Sequence, residues 1–136
     1  YIPANNRSQM MQKGSNEIIL DAYNANPSSM AVAITNFLQL DKENKIMILG
    51  DMFELGDESL YEHKVIVDNL NDQDKALCFL IGKSFYTNRT ASENVKFFET
   101  FDAFADYLQT FKFSGNTILI KGSRGMALER TLEYIS

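Results

Sequence analysis

The sequence has little that is typical of disulfide-bonded, membrane-spanning or nucleic-acid-binding proteins. It contains one cysteine, Cys78, inside the apolar segment "ALCFLIG", so a disulfide framework is impossible and the thiol is expected in the core. Its apolar runs are far shorter than the roughly 20 residues that span a bilayer. The net charge is −5 and no Lys/Arg cluster occurs, which argues against nucleic acid or an anionic membrane as a partner.

Several motifs of self-contained active sites are also absent. There is no GxxxxGK[ST] phosphate loop, no GxGxxG fingerprint, no zinc-spaced set of Cys and His, and no candidate Ser-His-Asp triad. The start, "YIPANNR", has no initiator methionine and no apolar signal segment, so we interpret the chain as a piece of a longer cytoplasmic protein. Any site built here is expected to need another domain.

What the sequence does contain is an alternation of apolar strands and amphipathic helices. "SQMMQ" and "NEIILD" predict a β-hairpin, and four apolar segments typical of buried strands follow at 45–50, 76–82, 94–99 and 116–122. Helical spacing predicts helices from Pro27, near 58–70, from Phe101 and from Ser123. This pattern predicts one α/β domain over residues 1–136, a Rossmann-like three-layer fold whose mostly parallel sheet has helices on both faces.

Helix starts are indicated by capping residues. Asn26 is a good N-cap before Pro27, and Thr100 and Asp57 are the expected N-caps of two later helices. The apolar residues that predict the helix near 58–70 are Leu60, Tyr61, Val65, Ile66 and Leu70.

Three predicted strands end in unusual polar segments, "DAYNANPSS", "LGDMFELGDES" and "KGSRGM". Ligands of parallel sheets bind beyond the carboxyl ends of the strands, so these segments predict a binding site along one rim. In the first segment, the Asp21 carboxylate suits a ligand hydroxyl or a cation, although it would also suit a turn cap. Tyr23 and Asn24 offer a flat face and an amide, which suit a nucleoside.

The other two segments carry opposite charges. Asp51 and Glu54 lie in an acidic loop that either binds a ligand or is merely solvated, and the only histidine, His63, is expected to be structural. In "KGSRGM", open backbone N–H groups at Gly122 and Gly125, a helix N-terminus at Ser123 and the cations Lys121 and Arg124 favour an anion site. A glycine-eased turn would explain the glycines but not both cations.

Taken together, these motifs resemble the C-terminal domain of the Mur ligases of peptidoglycan synthesis. "DAYNANPSSM", "ILGDMFELG" with a downstream histidine, and "KGSRGM" followed by "LE" occur in the family's order between Arg7 and Glu129. The resemblance is greatest to the members that add D-Ala-D-Ala to a UDP-MurNAc-tripeptide. It implies that the UDP-precursor-binding N-terminal domain and the central P-loop ATPase domain of such a ligase lie outside this sequence.

The resemblance implies a mechanism for the whole enzyme. ATP phosphorylates the carboxylate of the UDP-MurNAc-tripeptide, the amine of D-Ala-D-Ala attacks the acyl phosphate, and phosphate leaves. The implied cofactors are ATP and Mg²⁺, with the metal held mainly by the central domain. The expected enzyme is a cytoplasmic, monomeric ligase of cell-wall synthesis, and this chain alone is expected to be inactive, with no catalytic residue or metal ligand of its own.

The resemblance also implies roles for individual residues. Arg7 matches the arginine that reaches the nucleotide phosphates, Asp21 matches the aspartate that contacts the ribose, and Tyr23 and Asn24 would lie beside the nucleoside. For the dipeptide, we expect the carboxylate near Lys121, Gly122, Ser123 and Arg124, and the ammonium near Asp51 and Glu54. Two positions depart from the family's common pattern: Leu20 replaces the first of a frequent acid pair, and Asn6 stands where glycine is common.

Two alternatives remain. A folylpolyglutamate synthase-like ligase has a similar C-terminal domain, but its motif carries a histidine where this chain has Ala25. A flavodoxin-like binding or signalling module is the alternative from another class. A phospho-receiver of that kind needs an aspartate at a strand end, and "LIGKSF" has none.

Overall fold

A computed structural model describes residues 9–22 and 25–136 of the chain. The strands and α-helices of this part are, in order, β1 (Gln9–Lys13), β2 (Asn16–Asp21), α1 (Pro27–Gln39), β3 (Lys45–Gly50), α2 (Ser59–Asn71), β4 (Ala76–Ile81), α3 (Lys83–Thr87), β5 (Val95–Phe98), α4 (Phe101–Leu108) and β6 (Thr117–Lys121). Short 3₁₀ segments occupy Gly56–Glu58, Arg124–Met126 and Leu128–Tyr134. None of the helices described is both long and apolar enough to cross a bilayer.

The strands form a single six-stranded sheet in the order β1-β2-β6-β3-β4-β5. β1 pairs with β2 in an antiparallel hairpin, and every other pairing is parallel. The last strand, β6, lies between β2 and β3, so strands that are distant in the sequence end side by side. The predicted mostly parallel sheet with an N-terminal hairpin is confirmed.

Apolar residues cover both faces of the sheet and make two cores. One core joins α1, α2 and α3 to the sheet and includes Met30, Phe37, Val67, Leu70 and Phe85. The other joins α4 and the C-terminal 3₁₀ segments to the opposite face and includes Phe104, Leu108, Leu128 and Ile135. Burial on both faces explains why the strands read as continuous apolar runs, and it confirms the three-layer arrangement.

Two of the three predicted helix caps are confirmed. Asn26 Oδ1 accepts a hydrogen bond from Ser29 N at 2.8 Å, and Ser29 Oγ accepts one from Asn26 N at 3.1 Å, which completes a capping box before Pro27. Thr100 Oγ1 accepts from Ala103 N at 3.1 Å at the start of α4. These caps are local in sequence, so the sequence alone was sufficient to predict them.

The helix predicted near 58–70 is confirmed as α2, but its cap and part of its apolar face were predicted incorrectly. Asp57 does not cap this helix, because a 3₁₀ turn at Gly56–Glu58 precedes it and Glu58 takes the N-cap position without a side-chain cap. Leu60, Tyr61 and Val65 are exposed, whereas Ile66 and Leu70 are buried as predicted. Two further residues at helical spacing, His63 and Val67, complete the buried stripe.

The C-terminal segment is not the α-helix that was predicted from Ser123. Two 3₁₀ segments replace it, and they are separated at Ala127, whose backbone adopts the left-handed conformation with φ of 50°. The short helix α3 was not predicted either. Its five residues are too few to show helical periodicity, and its N-terminus is stabilised from another part of the chain.

Candidate functional site

The carboxyl ends of β2, β6 and β3 lie side by side, so the three polar segments meet at one rim, as the sequence indicated. In the register of the sheet, Lys121 at the end of β6 lies opposite Asp21 on one side and Leu49 on the other. The chain after β3 continues to α2 on one face, whereas the chain after β6 continues to the 3₁₀ segments on the other face. Such a divergence between neighbouring parallel strands is where open α/β sheets bind ligands.

An ion pair joins the ends of β2 and β6. Lys121 Nζ donates to Asp21 Oδ2 at 2.7 Å, and the two side chains are 3% and 20% exposed, respectively. The pair borders a concave surface beside the first turns of α1, which is lined by Asp21, Asn26, Ser28, Ser29, Val32, Ala33, Asn36 and Lys121. The sequence identified both charged residues but did not indicate that they bind each other, because only the strand register places them together.

Asp51, at the end of β3, has a different environment. Its side chain turns inward, where Oδ2 accepts from Ser84 N at 2.9 Å and Oδ1 accepts from Phe85 N at 3.1 Å. The residue is 5% exposed and caps α3 from a neighbouring strand. Gly82 makes room for the carboxylate, because a Cβ there would lie 2.2 Å from Asp51 Cγ. Both oxygens of Asp51 are therefore engaged in holding the fold.

His63 is fully buried beside this cap and has a defined tautomer. Nδ1 lies 2.6 Å from the Ser59 carbonyl oxygen and must donate to it, while Nε2 accepts from Met52 N at 2.9 Å. The ring is therefore neutral, with the proton on Nδ1. Its Nε2 is also 3.7 Å from Asp51 Oδ1, but a neutral ring makes no ion pair. The expected structural role of His63 agrees with these contacts.

Ser123 connects the loops that follow β3 and β6. Its Oγ accepts from Phe53 N at 2.8 Å, and its own N–H donates to the Asp51 carbonyl at 3.2 Å. The Ser123 side chain does not cap a helix, and the segment after it is a three-residue 3₁₀ turn. The helix N-terminus expected at this position is therefore absent, and the electrostatic contribution expected from it is lost.

The two glycines of "KGSRGM" are explained by close packing. A Cβ on Gly122 would lie 2.9 Å from Leu128 Cδ1 and 3.1 Å from Gly50 Cα, and a Cβ on Gly125 would lie 2.5 Å from Phe53 Cε2. The exposed ring of Phe53 thus packs directly against the backbone of this segment. The sequence did not indicate Phe53 as a rim residue.

Two charged residues of the rim face solvent. Glu54 is exposed, with a left-handed backbone at φ of 64°, and Arg124 is exposed at the start of the 3₁₀ turn. Across residues 9–22 and 25–136, no ion pair or side-chain hydrogen bond involves either of them. Of the residues predicted to bind the dipeptide, these two present charge to a ligand most directly.

Three predicted nucleotide-binding residues, Arg7, Tyr23 and Asn24, lie outside the described residues. For Mg²⁺, the described part of the chain offers no group of three or more His, Cys, Asp and Glu side chains that could hold an ion. Asp21 and Asp51 are engaged with Lys121 and with backbone N–H groups, respectively. The donor set described here therefore does not fit a resident magnesium ion.

Comparison with known proteins identifies the family to which the sequence and the fold are similar. The model of the family described as "Mur ligase, glutamate ligase domain" matches residues 6–124. A UDP-N-acetylmuramoyl-tripeptide–D-alanyl-D-alanine ligase of Rickettsia prowazekii is 30% identical over 131 residues, covering 94% of this chain and 29% of the relative. The corresponding ligase of Treponema pallidum is 33% identical over 118 residues, covering 82% and 26%.

Solved structures give the same result. A crystal structure of MurF from Acinetobacter baumannii superimposes with a TM-score of 0.79 at 29% identity, covering 97% of this chain and 30% of that one. The MurF ligase of Thermotoga maritima, solved in complex with ADP, has a TM-score of 0.74 at 25% identity, covering 98% and 30%. The chain thus spans less than a third of the length of these relatives. Because the family model covers most of the sequence and the fold agrees over nearly all of it, the chain belongs to the Mur ligase family and corresponds to its glutamate ligase domain.

Proposed function

We propose that the chain is the C-terminal domain of an ATP-dependent ligase that adds D-Ala-D-Ala to a UDP-MurNAc-tripeptide in peptidoglycan synthesis. The observation that carries the proposal is the match, over most of this chain, to ligases named for that reaction. In the proposed reaction, ATP transfers its γ-phosphoryl group to the tripeptide carboxylate, which gives an acyl phosphate and ADP. The deprotonated amine of D-Ala-D-Ala then attacks the acyl carbon, and phosphate leaves from the tetrahedral intermediate.

The remainder of the enzyme supplies what this chain does not contain. The sequence has no GxxxxGK[ST] loop, so a central ATPase domain would hold the triphosphate and Mg²⁺, and an N-terminal domain would bind the UDP precursor. The whole enzyme is proposed to be a cytoplasmic monomer. No step of the proposed reaction passes through a metal bound by the described residues, and the chain alone is not expected to turn over ATP.

The Asp21 side of the rim is proposed to face the nucleotide. Asp21 borders the concave surface beside α1 and retains some exposure, so its carboxylate can accept hydrogen bonds from ribose hydroxyls. Arg7 would reach the phosphates, and Tyr23 and Asn24 would lie beside the nucleoside. That the Thermotoga maritima relative was solved with ADP supports a nucleotide as the ligand of this family's sites.

The Arg124 side of the rim is proposed to receive the dipeptide. Arg124 is exposed and positively charged, which suits the terminal carboxylate, and the backbone at Gly122 and Ser123 lies beside it. Glu54 is the rim acid that remains available for the ammonium group before it loses its proton. We assign no such role to Asp51, because its two oxygens accept hydrogen bonds from backbone N–H groups of α3. Closure of the domain would then bring the amine toward the acyl phosphate.

The folylpolyglutamate synthase-like alternative is less consistent with the packing. Ala25, where that motif carries histidine, is 6% exposed and belongs to the core beneath α1. A histidine at this position would require a different arrangement of that core. The family match covers most of the chain, so a flavodoxin-like module of another class has no comparable support.

The test uses the full-length protein. We expect phosphate release from ATP that requires both the UDP-MurNAc-tripeptide and D-Ala-D-Ala, and release with folate and glutamate instead would refute the proposal. Arg124→Ala should raise the KM for D-Ala-D-Ala about tenfold, the effect of losing one charge-assisted hydrogen bond, and change the KM for ATP less than about twofold. A dipeptide amide, which lacks the carboxylate, should lose most of this sensitivity.

The matched control is Arg89→Ala, since Arg89 is an exposed arginine that stacks on Tyr86 away from the rim. This variant should leave both KM values unchanged. If the amide and the acid suffered equally from Arg124→Ala, the carboxylate would bind elsewhere.

A further inference from the structure

The ion pair between Lys121 and Asp21 gives Lys121 a position unlike that of an exposed substrate-binding lysine. The two residues are directly opposite in the β2–β6 register and end their strands together. Lys121 Nζ reaches Asp21 Oδ2 at 2.7 Å, and the lysine side chain is 3% exposed. Its charge is therefore directed along the rim toward β2 and is shielded from solvent.

We propose that Lys121 is a positioning residue for the nucleotide, acting through Asp21, and that it is not a ligand of the dipeptide carboxylate. The inference rests on the proposed function and deepens it. Lys121 holds Oδ2 of Asp21 and leaves the other oxygen, Oδ1, for a ribose hydroxyl at the concave surface beside α1. Among the residues that the structure describes, no other side chain or backbone N–H donates to this carboxylate.

The physical basis is preorganisation of a short side chain by a buried charge. An ammonium group held in a poorly solvated environment attracts a carboxylate more strongly than one in water, so it restricts the rotamers of Asp21. A carboxylate that already has its orientation loses less entropy when a ligand binds. Replacement of Lys121 should therefore weaken nucleotide binding although Lys121 does not contact the nucleotide.

The same geometry separates Lys121 from the neighbouring Arg124. Arg124 is exposed and available to an anion from solvent, whereas Lys121 is buried and engaged. The two cations of "KGSRGM" thus divide between the two ligands: Lys121 acts on the nucleotide side and Arg124 on the dipeptide side.

The chain offers a matched control for loss of a buried lysine. Lys45 is 7% exposed and begins β3, so it lies at the amino ends of the strands, whereas the rim lies at their carboxyl ends. Its Nζ donates to the carbonyls of Leu38 at 2.8 Å and Leu40 at 2.7 Å at the C-terminal end of α1. Lys45→Met therefore removes a buried ammonium and its hydrogen bonds without altering the rim.

The experiment compares Lys121→Met, Lys121→Arg and Lys45→Met in the full-length ligase, with ADP affinity measured by calorimetry and both KM values by phosphate release. Lys121→Met should weaken ADP binding and raise the KM for ATP roughly tenfold, the effect of one hydrogen bond to a charged group, while the KM for D-Ala-D-Ala changes less than about twofold. Lys121→Arg, which keeps the charge, should recover most of the loss. Lys45→Met should leave both affinities unchanged.

A double-mutant cycle with Asp21→Asn tests that the two residues act as one unit. Once Asp21 is replaced, Lys121→Met should add little to the loss of ADP affinity. Additive losses would overturn the proposal, as would a Lys121→Met effect confined to the KM for D-Ala-D-Ala. If Lys121→Met does not fold, Lys121→Gln, which removes the charge but keeps a donor, should show a smaller loss of ADP affinity in the same direction, and no loss would overturn the proposal.

These outcomes are distinguishable from failure of the proposed function. A full-length wild-type protein that does not join D-Ala-D-Ala to the UDP-MurNAc-tripeptide would refute the function. An active wild-type enzyme whose Lys121 variants bind ADP normally would refute only the positioning role.

Discussion

Asp51 and Asp21 occupy equivalent places in the sheet but have different environments. Each acid lies at the carboxyl end of a parallel strand, and the sequence indicated both as ligand-binding residues. Asp51 is buried and accepts hydrogen bonds from two backbone N–H groups of α3, whereas Asp21 borders a concave surface and pairs with Lys121. An acid at this edge of a sheet is therefore not sufficient evidence for a binding residue, because its partners decide its role.

The difference arises from what lies beside each strand end. Next to β3, the end of β4 continues through Gly82 into α3, whose first N–H groups need acceptors. Next to β2, β6 presents a lysine side chain and no helix N-terminus. The half of the rim around Asp51 thus holds the fold together, whereas the Asp21 carboxylate borders an open concave surface.

The largest effect should come from Asp51→Ala. This change leaves two buried N–H groups of α3 without an acceptor, so we expect the free energy of unfolding to fall by about 4 kcal/mol. Urea unfolding of the purified chain gives this value. The exposed Asp57, which makes no cap, serves as the control, and Asp57→Ala should cost less than about 0.5 kcal/mol. Equal losses in the two variants would contradict the structural role of Asp51.

His63→Ala should have the next largest effect. The change opens a cavity beside Phe85 and removes the acceptor of Met52 N, so we expect a loss of about 3 kcal/mol in unfolding free energy. The control is Tyr61→Ala on the same helix, since Tyr61 is 61% exposed and should tolerate truncation. A loss below that of the control would mean that the histidine does not hold the loop after β3.

Asp21→Asn should affect stability less than the two changes above. The amide oxygen still accepts from Lys121 but loses its charge, so the expected cost is about 1.5 kcal/mol in the same urea experiment. In the full-length protein, if it has the proposed activity, the same variant should raise the KM for ATP, whereas Asp51→Asn should not do so beyond its effect on folding. The opposite ranking, with Asp51→Asn impairing ATP use more, would reverse the comparison between the two acids.

The smallest expected effect on stability concerns Cys78, in the core beneath the Asp51 half of the rim. Cys78 is buried on β4, and burial raises the pKa of its thiol to about 12. At pH 8 we therefore expect a disulfide reagent to react about a thousandfold more slowly with the folded chain than with the urea-unfolded chain. Rapid reaction of the folded chain would show that this core opens to solvent.

The raised pKa of Cys78 also makes the free energy of unfolding depend on pH. The stabilising contribution is complete below about pH 9 and is lost as the pH rises from about 9 toward 12, because only the unfolded thiol ionises in that range. We expect an additional loss of about 1 kcal/mol between pH 9 and 10 in the wild type relative to Cys78→Ala. Equal pH dependence in the two proteins would contradict this burial.

Much of the fold was predictable because its signals are local. Continuous apolar runs identified the buried strands, and Asn26, Pro27 and Thr100 marked the starts of α1 and α4. One omission occurred where a distant contact decides the local structure, and one mistake occurred where the backbone departs from helical geometry. The α3 helix depends on a cap from Asp51, and the segment after Ser123 is interrupted at Ala127, where a left-handed backbone ends the 3₁₀ turn.

The rim shows the same division between local and distant information. Strand alternation and the position of polar segments after apolar runs were sufficient to place Asp21, Asp51 and Lys121 on one edge of a parallel sheet. The motifs were sufficient to indicate the family, which the comparison with known proteins confirmed. The placement of the polar segments and the family motifs could be predicted because both depend only on the order of residues in the sequence.

The partners of these residues depended on tertiary structure. Asp21 and Lys121 are 100 positions apart, and they meet because β6 inserts between β2 and β3. The cap of Asp51 on α3 and the bond from Phe53 N to Ser123 Oγ likewise join distant segments. A carboxylate or an ammonium group binds whichever partner lies within about 3 Å in a poorly solvated place, and the packing of the sheet brings that partner there.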